Sequence, residues 1–304
     1  MSLYSRAKAF LSRKGLRRIP RVTAVCRVLD NYLDRNKRMR KQEGVVLVGC
    51  QGNQMYVDAR DIGIASSLLT RGCYEEYETE LFRRSIGPGM IVVDVGANIG
   101  YYTLIAAKQT GEKGKVYAFE PESHNYELLV KNIDANGYCN VVPIRKAVSN
   151  QTGCAKLFLD RINLGAHSFA EDNLVPGNAI GRSKILEVET VALDQFISDG
   201  RVDLVKIDTQ GAEGLALEGA RNILRTSSNL KIFVEFWPAG LRSVGSDPLS
   251  LLNEVQDYGF KIRLIDEKRH MTEDVELDKI FELCQEPAKG RWGHVNLLME
   301  KTNR

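Results

Sequence analysis

MIVVDVGANIGYYTL, residues 90–104, is the stretch on which the fold turns. Met90–Val95 is a continuous apolar run interrupted only by Asp94, as expected of a parallel strand buried on both faces. Gly96-Ala97-Asn98-Ile99-Gly100 then makes a tight turn, and a helical stretch opens at Tyr101 and runs to Lys108. Strand, glycine turn and helix in immediate succession form the first βα unit of a doubly wound sheet, with a ligand crevice at the strand's carboxyl end. Downstream the rhythm continues. Gly114–Phe119 reads as the second strand, delivering Glu120, and Glu122–Ala135 as a helix. Val141–Ile144 is the third strand, closing near Ala147-Val148-Ser149, and Val202–Ile207 the fourth, with Asp208 at its tip. Gly211–Leu224 reads as one helix, Lys231–Phe236 as the fifth strand, and Phe260–Ile265 and His294–Met299 as two more. The expectation is an α/β fold with a mostly parallel sheet of about seven strands flanked by helices.

Upstream, Val45–Val48 and Gln54–Asp58 read as a hairpin and Tyr74–Phe82 as a helix. Residues 151–193 break the βα rhythm: Ala155–Leu159 and Ile185–Glu189 look like strands around a Gly/Asn-rich segment holding His167. This insertion stands at the carboxyl edge, where it can cover a substrate. The chain thus divides into a basic helical extension, 1–43, and one catalytic domain, 44–304.

The chain has 304 residues, 43% of them hydrophobic and 27% charged, the composition of an ordinary globular protein. Six scattered cysteines without a CxxC argue against a zinc ribbon or disulfide scaffold and suit a reducing compartment. No stretch reaches a membrane span and no signal peptide is evident, so a cytoplasmic location is expected. Charge is unevenly placed: residues 1–43 carry 13 Lys+Arg against 3 Asp+Glu, and the rest 29 against 36. The basic arm has two amphipathic stretches, around Leu3–Leu11 and Val22–Leu33. They suit packing on the body or a partner subunit, or peripheral contact with the inner face of a membrane. Without interleaved aromatics for base stacking, nucleic acid is disfavoured as a partner.

Glycine spacing separates the cofactors. A GxGxxG fingerprint counted from Gly96 would need glycines where Asn98 and Tyr101 stand, so the turn does not admit a pyrophosphate. Asp94 beside the turn disfavours a phosphate and suits a cationic ligand such as S-adenosylmethionine. P-loop and GxSxG motifs are absent.

VVDVGANIGYYTL (92–104), YAFEPESHNYELL (117–129), LVKIDTQGAEGLALEGA (204–220) and VEFWP (234–238) together resemble the FkbM family of S-adenosylmethionine-dependent methyltransferases. The resemblance spans roughly residues 45–300 and leaves the basic arm outside it. Family members usually carry Val-Glu where this chain has Thr209-Gln210. The resemblance implies a Rossmann-like class I methyltransferase fold and S-adenosyl-L-methionine as cofactor. Gly96, Ala97, Asn98 and Gly100 would line its methionine and ribose, Asp94 its amino end and Glu120 the ribose hydroxyls. Pro121, Ser149 and Asp208 complete the expected cofactor set. O-methylation of a sugar, glycan or secondary metabolite is the implied reaction. An N-methyltransferase of a small amine and a non-catalytic cofactor-binding scaffold are the alternatives, with an NAD-dependent oxidoreductase behind them.

The reaction needs an acceptor oxygen held in line and a group to take its proton. Asp208 is the first candidate base, with cofactor binding or helix capping as its other readings. His167, in the insertion, has a suitable near-neutral pKa unless it simply faces solvent. Glu213 either binds backbone N–H groups or touches substrate. Glu235 with Trp237 forms an acid-and-aromatic platform for a sugar or a plain helix cap. Lys206 shares a strand face with Asp208 and pairs with an acid or lies near substrate. No metal ligand set is assigned.

Overall fold

The computed structural model describes residues 44–174, 184–197, 201–285 and 293–301. The basic arm expected at 1–43 lies outside the described residues. An antiparallel hairpin comes first, β1 (Val45–Cys50) and β2 (Asn53–Asp58), with Val45 opposite Asp58. It is followed by α1 (Ile64–Arg71), α2 (Glu76–Arg84), β3 (Ile91–Val95), α3 (Tyr101–Thr110), β4 (Lys115–Phe119), α4 (Ser123–Asn136) and β5 (Val141–Ile144). β6 (Ala147–Val148) comes next, the insertion supplies β7 (Gly153–Leu159) and β8 (Lys184–Val191), and α5 (Leu193–Phe196) follows. The main sheet resumes with β9 (Leu204–Ile207), α6 (Glu213–Glu218), α7 (Arg221–Thr226), β10 (Lys231–Phe236), α8 (Pro238–Ser243) and α9 (Pro248–Asp257). The chain closes with β11 (Phe260–Asp266), β12 (Met271–Asp274), α10 (Leu277–Gln285) and β13 (Val295–Lys301).

The main sheet has eight strands in the order β12-β11-β13-β10-β9-β3-β4-β5. The five from β10 to β5 are parallel, and β13, β11 and β12 join them by antiparallel pairs. The sheet is therefore mixed, and the expectation of seven mostly parallel strands is corrected. The extra strand, β12, lies at an exposed edge and has no apolar alternation. Its pairing rests on backbone ladder bonds and on charges such as Lys261 to Asp274 at 2.6 Å, which no hydrophobic pattern reveals.

Side-chain alternation divides the core between two helical layers. Val93, Val95, Val205, Ile207, Val234 and Phe236 pack with α6, α7, α9 and α10 on one face. Val92, Leu204, Phe233 and Leu298 pack with the hairpin and α1–α4 on the other. The same alternation assigns Asp94, Lys206, Glu235 and Asn296 to the α2–α3 face, and register aligns Asp94 with Lys206 and Glu235 with Asn296. A polar row thus crosses the sheet near the carboxyl ends of its parallel strands.

Two helices differ from their sequence reading. The stretch read as Tyr74–Phe82 is α2, starting at Glu76, and α1 precedes it. The helix read over Gly211–Leu224 breaks between α6 and α7. At the break, a Cβ on Gly219 would stand 2.1 Å from the Ser149 carbonyl oxygen, so the backbone just after β6 packs closely on this point. The inserted strands form a separate sheet, β6-β8-β7, in which β7 and β8 are antiparallel.

Candidate active site

The turn after β3 is built against two neighbouring strands. The N–H groups of Gly96 and Ala97 both donate to the Phe119 carbonyl at the end of β4, at 3.0 and 2.9 Å. Gly96 has φ +80°, and a Cβ there would lie 2.0 Å from the Asp208 carbonyl oxygen after β9. Only glycine meets both conditions. Asn98, itself at φ +50°, donates its N–H to Glu120 Oε2 at 2.9 Å, and Glu122 N–H donates to Oε1 at 2.9 Å. Burial pushes the Glu120 carboxyl up to about 8 despite these bonds. Asn98 Oδ1 is buried with no hydrogen-bond partner among the described residues. Thr103, one turn into α3, donates its hydroxyl to Asp94 at 2.5 Å, and burial pushes Asp94 up to about 6.

Gly96, Ala97, Asn98, Gly100, Asp94 and Glu120 are thereby gathered at the ends of β3 and β4, with Pro121 next in the chain. Ser149 follows β6. Its N–H donates to the Val191 carbonyl at 3.0 Å, and its own carbonyl faces Gly219.

The second grouping surrounds Lys206, whose side chain is 1% exposed. Its ammonium lies 3.2 Å from Glu78 Oε1, 3.7 Å from Asp208 Oδ2 and 5.0 Å from the centre of the Tyr102 ring. Burial alone would lower its pKa, but the charges of Glu78, Asp208, Glu75 and Glu235 outweigh that and raise it. The ammonium is thus committed to acids, as the first of its two sequence readings has it. Glu78 also accepts from Asn296 Nδ2, and Glu75 accepts from the Tyr102 hydroxyl at 3.2 Å.

Asp208 keeps 26% side-chain exposure above this buried pair. Its Oδ1 accepts from Gln210 Nε2 at 3.1 Å, and the same nitrogen reaches Glu235 Oε2 at 2.9 Å. Glu235 also faces His294 Nε2 at 3.4 Å, and burial together with the Asp208 charge raises its carboxyl well above the usual range. Glu213 turns away into the loop. It accepts from the N–H groups of Thr209 and Gly211 at 3.1 and 3.0 Å and is fully buried, which favours its backbone-binding reading.

His167 stands half-buried in the insertion with Nδ1 accepting from Asp160 N–H at 3.1 Å. Burial lowers its pKa, so the ring is neutral and carries its proton on Nε2. In that tautomer Nδ1 is taken up by the Asp160 N–H and Nε2 carries the proton, a poor arrangement for a base. Its neighbour Ser168 donates to the Gln210 carbonyl at 2.7 Å, so the insertion does reach the Asp208 loop. Gln210, Asn296 and Ser168 are the site residues that sequence reading did not assign, whereas Glu78, with Tyr74 and Glu75, reads in the sequence as a group before the first core strand that could close over the cofactor. The one usable signal was Glu78 on the apolar side of an otherwise charged helix. Among the described residues no group of three His, Cys, Asp or Glu is placed to hold a metal ion.

Burial holds Asp94, Glu213, Glu120 and Glu75 at about 6, 7, 8 and 8. The folded protein therefore keeps protons that the unfolded chain, with carboxyls near 4, releases. Stability is lost as pH rises from about 5 through 8, while the lowered His167 gives back a smaller amount through about 6.5. The unliganded protein is expected to melt at a lower temperature at about pH 8.5 than at about pH 5.5. The reverse order would show that these carboxyls are already ionised in the fold.

A sequence model of the methyltransferase FkbM domain matches residues 94–262, more than half of the chain. The hexuronic acid methyltransferase AglP of Haloferax volcanii is 28% identical over 141 residues, 45% of this chain and 52% of that protein. The chain's match thus spans about half the length of this relative. A tRNA(Phe) (4-demethylwyosine(37)-C(7)) aminocarboxypropyltransferase of Methanocaldococcus jannaschii is 33% identical over 104 residues, 34% of this chain and 40% of that protein. The solved structure of M. jannaschii TYW2 in complex with AdoMet is 18% identical, covers 86% of this chain and 88% of that one, and has a TM-score of 0.42. The expectation that nucleic acid is disfavoured is corrected by the tRNA-named relative, since its similarity lies with a protein named for a nucleic-acid substrate. That expectation was drawn from the arm's lack of aromatics, which carries no information about a crevice in the body.

Proposed function

The chain belongs to the FkbM domain family of S-adenosylmethionine-dependent methyltransferases, and on that premise we propose that it methylates a hydroxyl oxygen of a sugar, glycan or secondary metabolite. Its residues suit the cofactor. Glu120 offers buried carboxyl oxygens for a ribose diol, and Asn98 Oδ1 is an acceptor in want of a donor. Bound S-adenosylmethionine supplies an electrophilic methyl carbon on a sulfonium. The chain's own work is to hold the acceptor hydroxyl in line with that carbon and to take its proton as the carbon–oxygen bond forms and the carbon–sulfur bond breaks. Asp208 is the proton acceptor in this reading. The observation that carries it is a partly exposed carboxylate, 26% accessible, on the residue whose backbone packs against the glycine turn, with Lys206 and Gln210 fixing it on either oxygen. Glu235 stands next to it as a second acceptor for substrate hydroxyls. The relative named for hexuronic acid supports a sugar, and the tRNA-named relative makes RNA the competing acceptor.

Labelled methyl transfer from S-adenosylmethionine tests this against uronic-acid glycans, neutral glycans, hydroxylated natural products and bulk tRNA. Label in an alkali-stable ether on a glycan or natural product, lost in Asp208→Asn, is the expected result. Label confined to RNA, or to no acceptor, would remove the reading.

The cofactor contact has its own test. Glu120→Ala is expected to weaken S-adenosylhomocysteine binding in calorimetry about 10–100-fold, the loss of two ribose hydrogen bonds at about 0.5–1.5 kcal/mol each. An affinity unchanged within about twofold would mean that the ribose lies elsewhere.

A further inference from the structure

Gln210 occupies a place that neither catalysis nor cofactor binding explains. Its backbone is left-handed, φ +53°, a conformation that a side chain of this size rarely adopts. That backbone is held from outside. Ser168 Oγ and Asn173 Nδ2, both from the insertion, donate to its carbonyl at 2.7 and 3.2 Å, and Glu213 binds the N–H groups on either side of it. The side chain so aimed puts one amide nitrogen 3.1 Å from Asp208 Oδ1 and 2.9 Å from Glu235 Oε2. A carboxamide nitrogen has two hydrogens, one for each carboxylate.

We infer that Gln210 is the positioning residue of the acceptor site, holding the Asp208 and Glu235 carboxyl groups side by side and tying that pair to the inserted segment. The inference rests on the methyltransferase reading for its consequence and on the geometry for its substance. Two carboxylates that converge on one point repel and share a proton unless a donor lies between them. Lys206 faces the pair from β9, 3.7 Å from Asp208 Oδ2, and His294 faces it from the start of β13, 3.4 Å from Glu235 Oε1. Glu75 and Glu78 of the α2 region, Tyr74 before them and Glu213 of α6 add negative or neutral groups around it. Against that surplus of acids, the Gln210 amide is the donor common to both members. With Oδ1 bonded to Gln210, Asp208 Oδ2, 3.7 Å from the Lys206 ammonium, is the oxygen that carries no hydrogen bond from the amide and takes the proton of an acceptor hydroxyl in this reading. The insertion, by gripping the Gln210 carbonyl, sets where that oxygen points.

The test needs no acceptor substrate. Full-length protein with 13C-labelled Asp and Glu carboxyls is titrated by NMR in wild type, Gln210→Glu and Gln210→Met, with Asp208→Asn and Glu235→Gln identifying the signals. Gln210→Glu sets a third carboxylate between the two, and is expected to raise an apparent pKa of the pair by about one to three pH units. Gln210→Met keeps length and backbone conformation but removes both hydrogen bonds, and is expected to raise it by about one unit. S-adenosylhomocysteine binding on the same samples reports whether the cofactor half of the site is folded, and judges the methyltransferase reading separately. A purely structural Gln210 would alter melting and leave the titration where it was. Unchanged titration of the pair in both variants would overturn the inference.

Discussion

Glu78→Ala is expected to destabilise the protein by about 3–5 kcal/mol, measured by urea denaturation. Glu78 is fully buried on α2, and its partner Lys206 is 1% exposed on β9, 3.2 Å away. Removing the carboxylate leaves an ammonium in the core between the Tyr102 ring and Asp208. That uncompensated charge, more than the lost attraction, sets the size of the effect. The ammonium is then drawn to Asp208, so methyl transfer is expected to fall beyond what stability accounts for. The double variant Glu78→Leu with Lys206→Met removes both charges and is expected to recover much of the loss, because apolar residues of similar volume replace a buried pair at little cost. A loss below about 1 kcal/mol in Glu78→Ala would mean that Asp208 alone neutralises the lysine.

Gly96→Ala is the second large effect. The added methyl would meet the Asp208 carbonyl oxygen at 2.0 Å, a backbone atom that cannot rotate away, and φ +80° would strain any side chain. Left-handed strain of about 1–2 kcal/mol and overpacking of about 1–3 kcal/mol together destabilise the fold. Relief requires β3 and β9 to part at their tips, which displaces the turn from Glu120 and Asp208 from Gln210 together. Loss of S-adenosylhomocysteine binding is therefore expected even where the variant stays folded by circular dichroism. Gly111→Ala is the control: it also has positive φ, +63°, but nothing lies within 4 Å of its Cβ. Retained binding in Gly96→Ala would show that the turn relaxes without moving the strands.

The parallel strands were legible because each is buried on both faces, so β3, β9 and β10 are near-continuous apolar runs that stand out from their surroundings. The acids at their tips, Glu120 and Asp208, were legible for the same reason: an apolar strand that ends in an acid delivers it to the crevice. β12 was not, since an edge strand needs no apolar face. Nor was the break between α6 and α7, where Gly219 packs against the carbonyl of Ser149, a residue far away in the chain.

The amino-acid sequence by itself determined the βα order, the glycine turn and the family, because these depend on local periodicity and on residues a few positions apart. Tertiary structure alone decided which acids share Lys206, that Glu213 serves the loop and that Gln210 joins Asp208 to Glu235. Each of those depends on which face of one element meets which face of another. Burial then settles the charge of the groups so enclosed, since desolvation acts on a position in space that a chain position does not specify.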